Sequence, residues 1–219
     1  MEFIDIPTEQ TTAFTDVILA LVSITACIYI YRIGRGEWKA RLWEWLFFLL
    51  TVAAVLGAIV HGTRLSERIE SIFWSLINFS LGLMIAFFVI AVINDLKGMI
   101  FSRKLLPIIL TFGYVFWMTT LYYPDNFLVF TIYEAVAMLF SLCGYVWLAY
   151  KDRLDGAVWM SAGILISIAA ALVQASKMTS FQLIWDFDHN GTYHLIQIVG
   201  ILFLLTGLRK SLKYRLVSS

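Results

Sequence analysis

The chain has 219 residues, of which 61% are hydrophobic, 16% aromatic and only 14% charged, and its formal net charge is +1. Soluble domains average about 45–50% apolar and about 25% charged residues, so this composition cannot cover a water-exposed surface. It excludes a disordered chain and offers no basic stripe along which a nucleic acid could lie.

What remains is an all-α polytopic membrane protein, a single seven-helix transmembrane domain over residues 1–219. A helix needs about 20 mostly apolar residues to cross the hydrocarbon. Seven segments qualify, at about 12–32, 40–62, 69–93, 104–123, 127–150, 156–176 and 190–210. The acidic start reads as a retained first span rather than a cleaved signal, and Gly34 and Gly36 close that span. Trp38, Trp43 and Trp45 flank the second span as interfacial aromatics, and His61 ends it. Asp95 and Gly98 form the turn after the third. Pro107 falls in the first turns of the fourth, which ends at Tyr122 and Tyr123 before a Pro124-Asp125-Asn126 turn. Asp155-Gly156 separates the fifth and sixth. The 2 cysteines, Cys27 and Cys143, lie inside apolar runs and read as buried thiols.

Basic residues near helix ends set orientation. Arg32, Arg35, Lys39, Arg41, Lys97, Arg103, Lys104, Lys151, Arg153, Arg209, Lys210, Lys213 and Arg215 fall on one side of the expected bundle. Only Arg64, Arg68 and Lys177 fall on the other. The first side is expected to be cytoplasmic, with the C-terminus there and the N-terminus extracellular, periplasmic or lumenal.

An ionisable side chain deep in a span costs about 2.5–3.5 kcal/mol on the insertion scale. Asp16, His61, Glu134 and His194 are such residues, and Asn78, Gln174 and Gln197 are buried amides. With spans alternating in direction, all of them fall in the outer half. An outward-opening polar cavity is therefore expected. The inner half carries only small hydroxyls such as Ser141 and Ser161, which argues against a path for ions through the membrane. Asp16, Glu134 and Asn78 are the catalytic candidates, and Gln174, Gln197, Asn190 and Ser75 the substrate-binding ones. Glu134 could equally hydrogen-bond Asn78 or Gln197, and Asp16 could cap the first helix. All 3 histidines, His61, His189 and His194, gather at this end and form a candidate zinc shell with water in an open position. The alternative makes His61 and His189 interfacial and leaves His194 in a hydrogen-bond network. Five positions in a helix are about 140° apart, so His189 would have to reach the site from outside the last helix, with Asp186 or Asp188 as its cap.

Seven spans, a histidine ending the second and the motif Asp186-Phe187-Asp188-His189-Asn190-Gly191-Thr192-Tyr193-His194 opening the last resemble one known superfamily. It groups the alkaline ceramidases, the progestin/adipoQ receptors and the Per1-like GPI-lipid remodelling hydrolases. The resemblance implies a zinc-dependent lipid amide or ester hydrolase, with His61 and His194 at two metal positions. Gly57 stands where that pattern has Ser, Asn190 where it has His, and the third span has Asn78 or the shallower Glu70 in place of an Asp. Two functions are thus expected to compete. One is hydrolysis of a membrane lipid at zinc. The other is non-catalytic binding of a lipid or small molecule, alone or as a subunit associating through helix faces. A bis-histidine haem between His61 and His194 is a third, weaker arrangement, and a retinal Schiff base is excluded because no Lys lies between Lys177 and Lys210.

Overall fold

A computed structural model describes residues 2–123, 127–178, 180–182 and 185–217. The elements in order are α1 (Pro7–Gly34), α2 (Trp38–Gly62), α3 (Glu67–Lys97), α4 (Met99–Tyr122), α5 (Phe127–Tyr150), α6 (Ala157–Ser176), β1 (Phe181–Gln182), β2 (Asp186–Phe187) and α7 (His189–Val217). All 7 helices are long and apolar enough to cross a membrane, which makes this an all-α integral membrane protein. The Pro124-Asp125-Asn126 turn lies outside the described residues.

Each helix follows its apolar run, and the short connections stack consecutive helices as antiparallel hairpins. Contact between α1 and α7 brings the two ends of the chain together, and α3 also touches α5. One difference from the expected boundaries matters for function. Helix α1 begins at Pro7, a residue whose missing N–H is harmless in a first turn. Asp16 is therefore its tenth residue, buried inside the bundle, and cannot be a cap. The short antiparallel hairpin β1–β2 between α6 and α7 was not expected. It lies at the same end of the bundle as Gly62, Glu67 and Ser176, here called the hairpin end. There the N-terminal residues strap the α2–α3 connection through an isolated bridge between Phe3 and Thr63.

Three further expectations are corrected. Trp43 is not interfacial: it is fully buried, in ring contact with Phe47 and Phe88. Cys143 faces outward, and Cys27 is only partly buried. The half of the bundle away from the hairpin is not free of ionised groups. Lys39 Nζ and Asp95 Oδ1 are 2.7 Å apart, with side chains 3% and 2% exposed. The Tyr145 hydroxyl donates to Asp95 Oδ2 at 3.1 Å. Nearby, Trp38 Nε1 donates to Ser102 Oγ, which donates to Asn94 Oδ1. Both charges sit within a turn of a helix end, so in sequence they read as loop charges. Each is inside a helix, and each is covered by its neighbours.

Helices α6 and α7 approach through glycine. A Cβ on Gly163 would lie 2.9 Å from the carbonyl oxygen of Gly200, and one on Gly207 would lie 2.8 Å from that of Gly156. The two pairs are spaced seven residues apart on both helices in antiparallel register, so the backbones touch at every second turn. Small residues that admit such close approach are a common basis of helix association in lipid.

Gly163→Leu should therefore force α6 off α7 and cost about 1–3 kcal/mol, as overpacking does. Its thermal unfolding midpoint in detergent should fall, while Leu165→Ala on the exposed face of α6 should leave it within a degree or two.

Candidate functional site

The site is organised by one face of α1. Glu9, Thr12, Thr15 and Asp16 fall at helical spacings that place them along one side. Asp188, just before α7, meets this face first. Its Oδ1 accepts the backbone N–H groups of Asn190 and Gly191 at 3.0 and 2.9 Å, and the Thr12 hydroxyl at 3.1 Å. This is the helix cap expected of Asp188 or Asp186, and it also pins the start of α7 to α1.

His194 then falls beside the next turn of α1. The Thr15 hydroxyl has one proton, donated to the Thr12 carbonyl at 2.9 Å. Thr15 Oγ1 is also 3.0 Å from His194 Nδ1. The other ring nitrogen, Nε2, faces Asp16 Oδ1 at 3.4 Å. Asp16 is 4% exposed, and its second oxygen, Oδ2, is buried without a hydrogen-bond partner. That oxygen lies against Gly57 of α2, where a Cβ would be only 2.8 Å away. A serine at position 57 is incompatible with this placement of the carboxylate.

His61 lies one turn beyond Gly57 on the same face of α2. Its Nδ1 contacts Glu9 Oε2 at 2.6 Å, and its ring packs edge-on against Trp74. Both imidazoles are thus held by α1, and Asp16 and His61 are close enough for their charges to act on one another. His189 is separate. It is the first residue of α7, on another face from His194, with Nδ1 3.9 Å from Asp188 Oδ2. Among the described residues no group of three His, Cys, Asp or Glu side chains is gathered to hold a metal ion. The expected shell of His61, His189 and His194 is not assembled: His61 is taken up by Glu9, and His189 starts α7 on another face from His194.

These groups line a cavity of about 850 Å³. Glu67, Glu70, Lys177 and Tyr123 lie where it meets the helix ends. His61, one residue from the end of α2, lies level with them, and Asp16, Trp74, Asn78, Tyr193 and His194 form a polar band further in. Leu19, Leu50, Ala53, Ala54 and Leu81 line the deepest part. The lining extends from His61 to Leu50 along α2, about 16 Å at 1.5 Å per residue.

Of the other expected residues, Asn78, Ser75, Gln174, Asn190 and His189 line the cavity. Ser75 is also tied to α4, accepting from Trp117 Nε1 at 3.1 Å. Gln174 Nε2 donates to Asn190 Oδ1 at 3.3 Å and bridges α6 to α7. Gln197 and Glu134 are not in the lining. Gln197 Oε1 is buried and unpartnered. Glu134 is buried and hydrogen-bonds neither Asn78 nor Gln197. Glu9 was missed by the sequence reading, since its place on the Asp16 face shows only once α1 is known to start at Pro7.

Residues 11–213 match the DUF6962 family, described as a family of unknown function, and the chain belongs to that family. No characterised protein and no solved structure matches it.

Asp188→Ala removes the cap of α7 and the Thr12 contact together. Loss of such a cap costs about 0.5–2 kcal/mol. A lower unfolding midpoint is expected, with faster amide exchange at Asn190 and Gly191 and none at the Lys39–Asp95 end.

Proposed function

We propose that this protein holds an amphiphile, a membrane lipid or a lipid-like small molecule, in the cavity at its hairpin end. The observation that supports this reading is the ordering of the lining. Charged residues sit at the helix ends, a polar band lies beneath them, and an aliphatic floor reaches into the bundle. A molecule with a polar head and an apolar tail matches that sequence of surfaces. An ion or a sugar would leave the floor empty. The distribution of Lys and Arg supports placing this end on the non-cytoplasmic side.

A second reading is hydrolysis of a lipid amide or ester. It is favoured by the buried contact of His194 Nε2 with Asp16 Oδ1 in the cavity wall. A pair in that relation can take a proton from water or return one to a leaving group, which is worth about 10²–10⁴-fold in rate. Zinc was the expected cofactor of this chemistry. A catalytic zinc usually has three protein ligands and a water, whereas here only Asp16 and His194 face one another. As arranged, the residues do not fit a zinc shell, and the proton-transfer role of the pair does not depend on one.

Mass spectrometry of protein purified in mild detergent should find one amphiphile near stoichiometric amounts. Asn78→Trp, which fills the cavity, should reduce it at least fivefold. Wild-type protein that is lipid-free and takes up no added amphiphile would sink the first reading. For the second, turnover of an amide or ester lipid should drop at least 100-fold in His194→Ala. Elemental analysis of both proteins reports on zinc: a full equivalent lost with His194 would restore a metal role.

A further inference from the structure

We infer that the amphiphile in this cavity carries a cationic amine as its head group. The inference rests on the cavity being a binding site, as proposed above, and adds the charge of its occupant. Asp16, Glu67 and Glu70 line the cavity, and Lys177 is the one lining Lys or Arg among the described residues. Of the histidines in the wall, His61 already answers the Glu9 carboxylate.

An excess of acidic residues alone would be a solvated rim. Two buried groups point further. Asp16 is 96% buried by its 4% exposure, and its Oδ2 has no hydrogen-bond partner. Glu134 is 7% exposed, lies outside the cavity lining and makes no described hydrogen bond or ion pair. Buried carboxylates in proteins are ordinarily paired. The other buried carboxylate of this bundle, Asp95, obeys that rule with Lys39 and Tyr145. Asp16 has only a single imidazole nitrogen at 3.4 Å, and Glu134 has no cation. An ammonium group in the polar band would supply the missing positive charge. Trp74 and Tyr193 would offer it aromatic faces, which attract cations. An anionic head would meet three carboxylates, and a neutral one would leave the two buried acids as they are.

The test uses the full chain in lipid nanodiscs, titrated calorimetrically with dodecylamine, dodecanol and dodecanoate, with empty nanodiscs subtracted. Dodecylamine should bind at least tenfold more tightly than the other two. The ratio of amine to alcohol affinity should collapse toward one in Asp16→Asn and fall in Glu134→Gln, with folding of each variant checked by thermal unfolding. If a variant does not fold, the wild-type ranking decides alone. Equal affinity for amine and alcohol, or a preference for dodecanoate, overturns the head-group inference and leaves the amphiphile site standing. An amine preference that survives both substitutions also overturns it. Failure of all three probes to bind removes the cavity reading together with this one.

Discussion

A carboxylate in the tenth residue of a membrane helix has no water to solvate it, so another helix has to answer it. In this bundle the answer comes from the opposite end of the chain. His194 of α7 reaches Asp16 of α1, while Thr15 fixes which ring nitrogen does so. That contact joins the first and last helices, and much of the hairpin end follows from it. Asp188 must place α7 in register with α1. The missing side chain at position 57 makes room for the carboxylate against α2. His61 in turn meets Glu9, one to two turns earlier on the same face of α1. Moving any one of these would expose a polar atom to hydrocarbon, where no solvent compensates it.

The seven spans were legible because a long apolar run has few alternatives. Which face of each helix points inward was much less so. When both the core and the lipid are apolar, Leu and Phe carry no directional information, and only the few polar residues do. Those were read well where they lie deep: Asp16, His61, Asn78, Gln174 and His194 do share one cavity wall. Residues near helix ends were misread. Lys39 and Asp95 looked like loop charges because each is within a turn of a terminus, and the alternative of Asp16 as a cap stayed open because the apolar run begins after Pro7 does. The histidine cluster was correct as a location and incomplete as a shell. A sequence shows that three imidazoles reach the same end, but not that Glu9 takes up one of them while another sits on a different face of α7.

The two buried polar centres differ in kind. At one end Lys39, Asp95 and Tyr145 pair with one another in a packed setting, with Trp43 Nε1 and Glu44 Oε1 buried nearby without hydrogen-bond partners and no cavity described beside them. At the other, one oxygen of the Asp16 carboxylate is left without a partner, and Asp16 lines the cavity. Mutual pairing in a packed setting is what a structural fastening needs. Incomplete satisfaction beside open space is what a binding site needs, because the occupant provides the remaining contacts. The resemblance to lipid hydrolases and the binding reading agree on this location and differ on what happens there.

The Lys39–Asp95 pair also bears on how the protein enters the membrane during synthesis. Lys39 emerges at the start of α2 and Asp95 only at the end of α3. The ammonium therefore has to wait at the membrane boundary, its flexible stem reaching toward lipid phosphates, until the whole of the next helix has been made. Partitioning of α2 and α3 as a joined hairpin lets both charges leave the interface together, and the fastened pair then offers α5, through Tyr145, a polar foothold to dock upon.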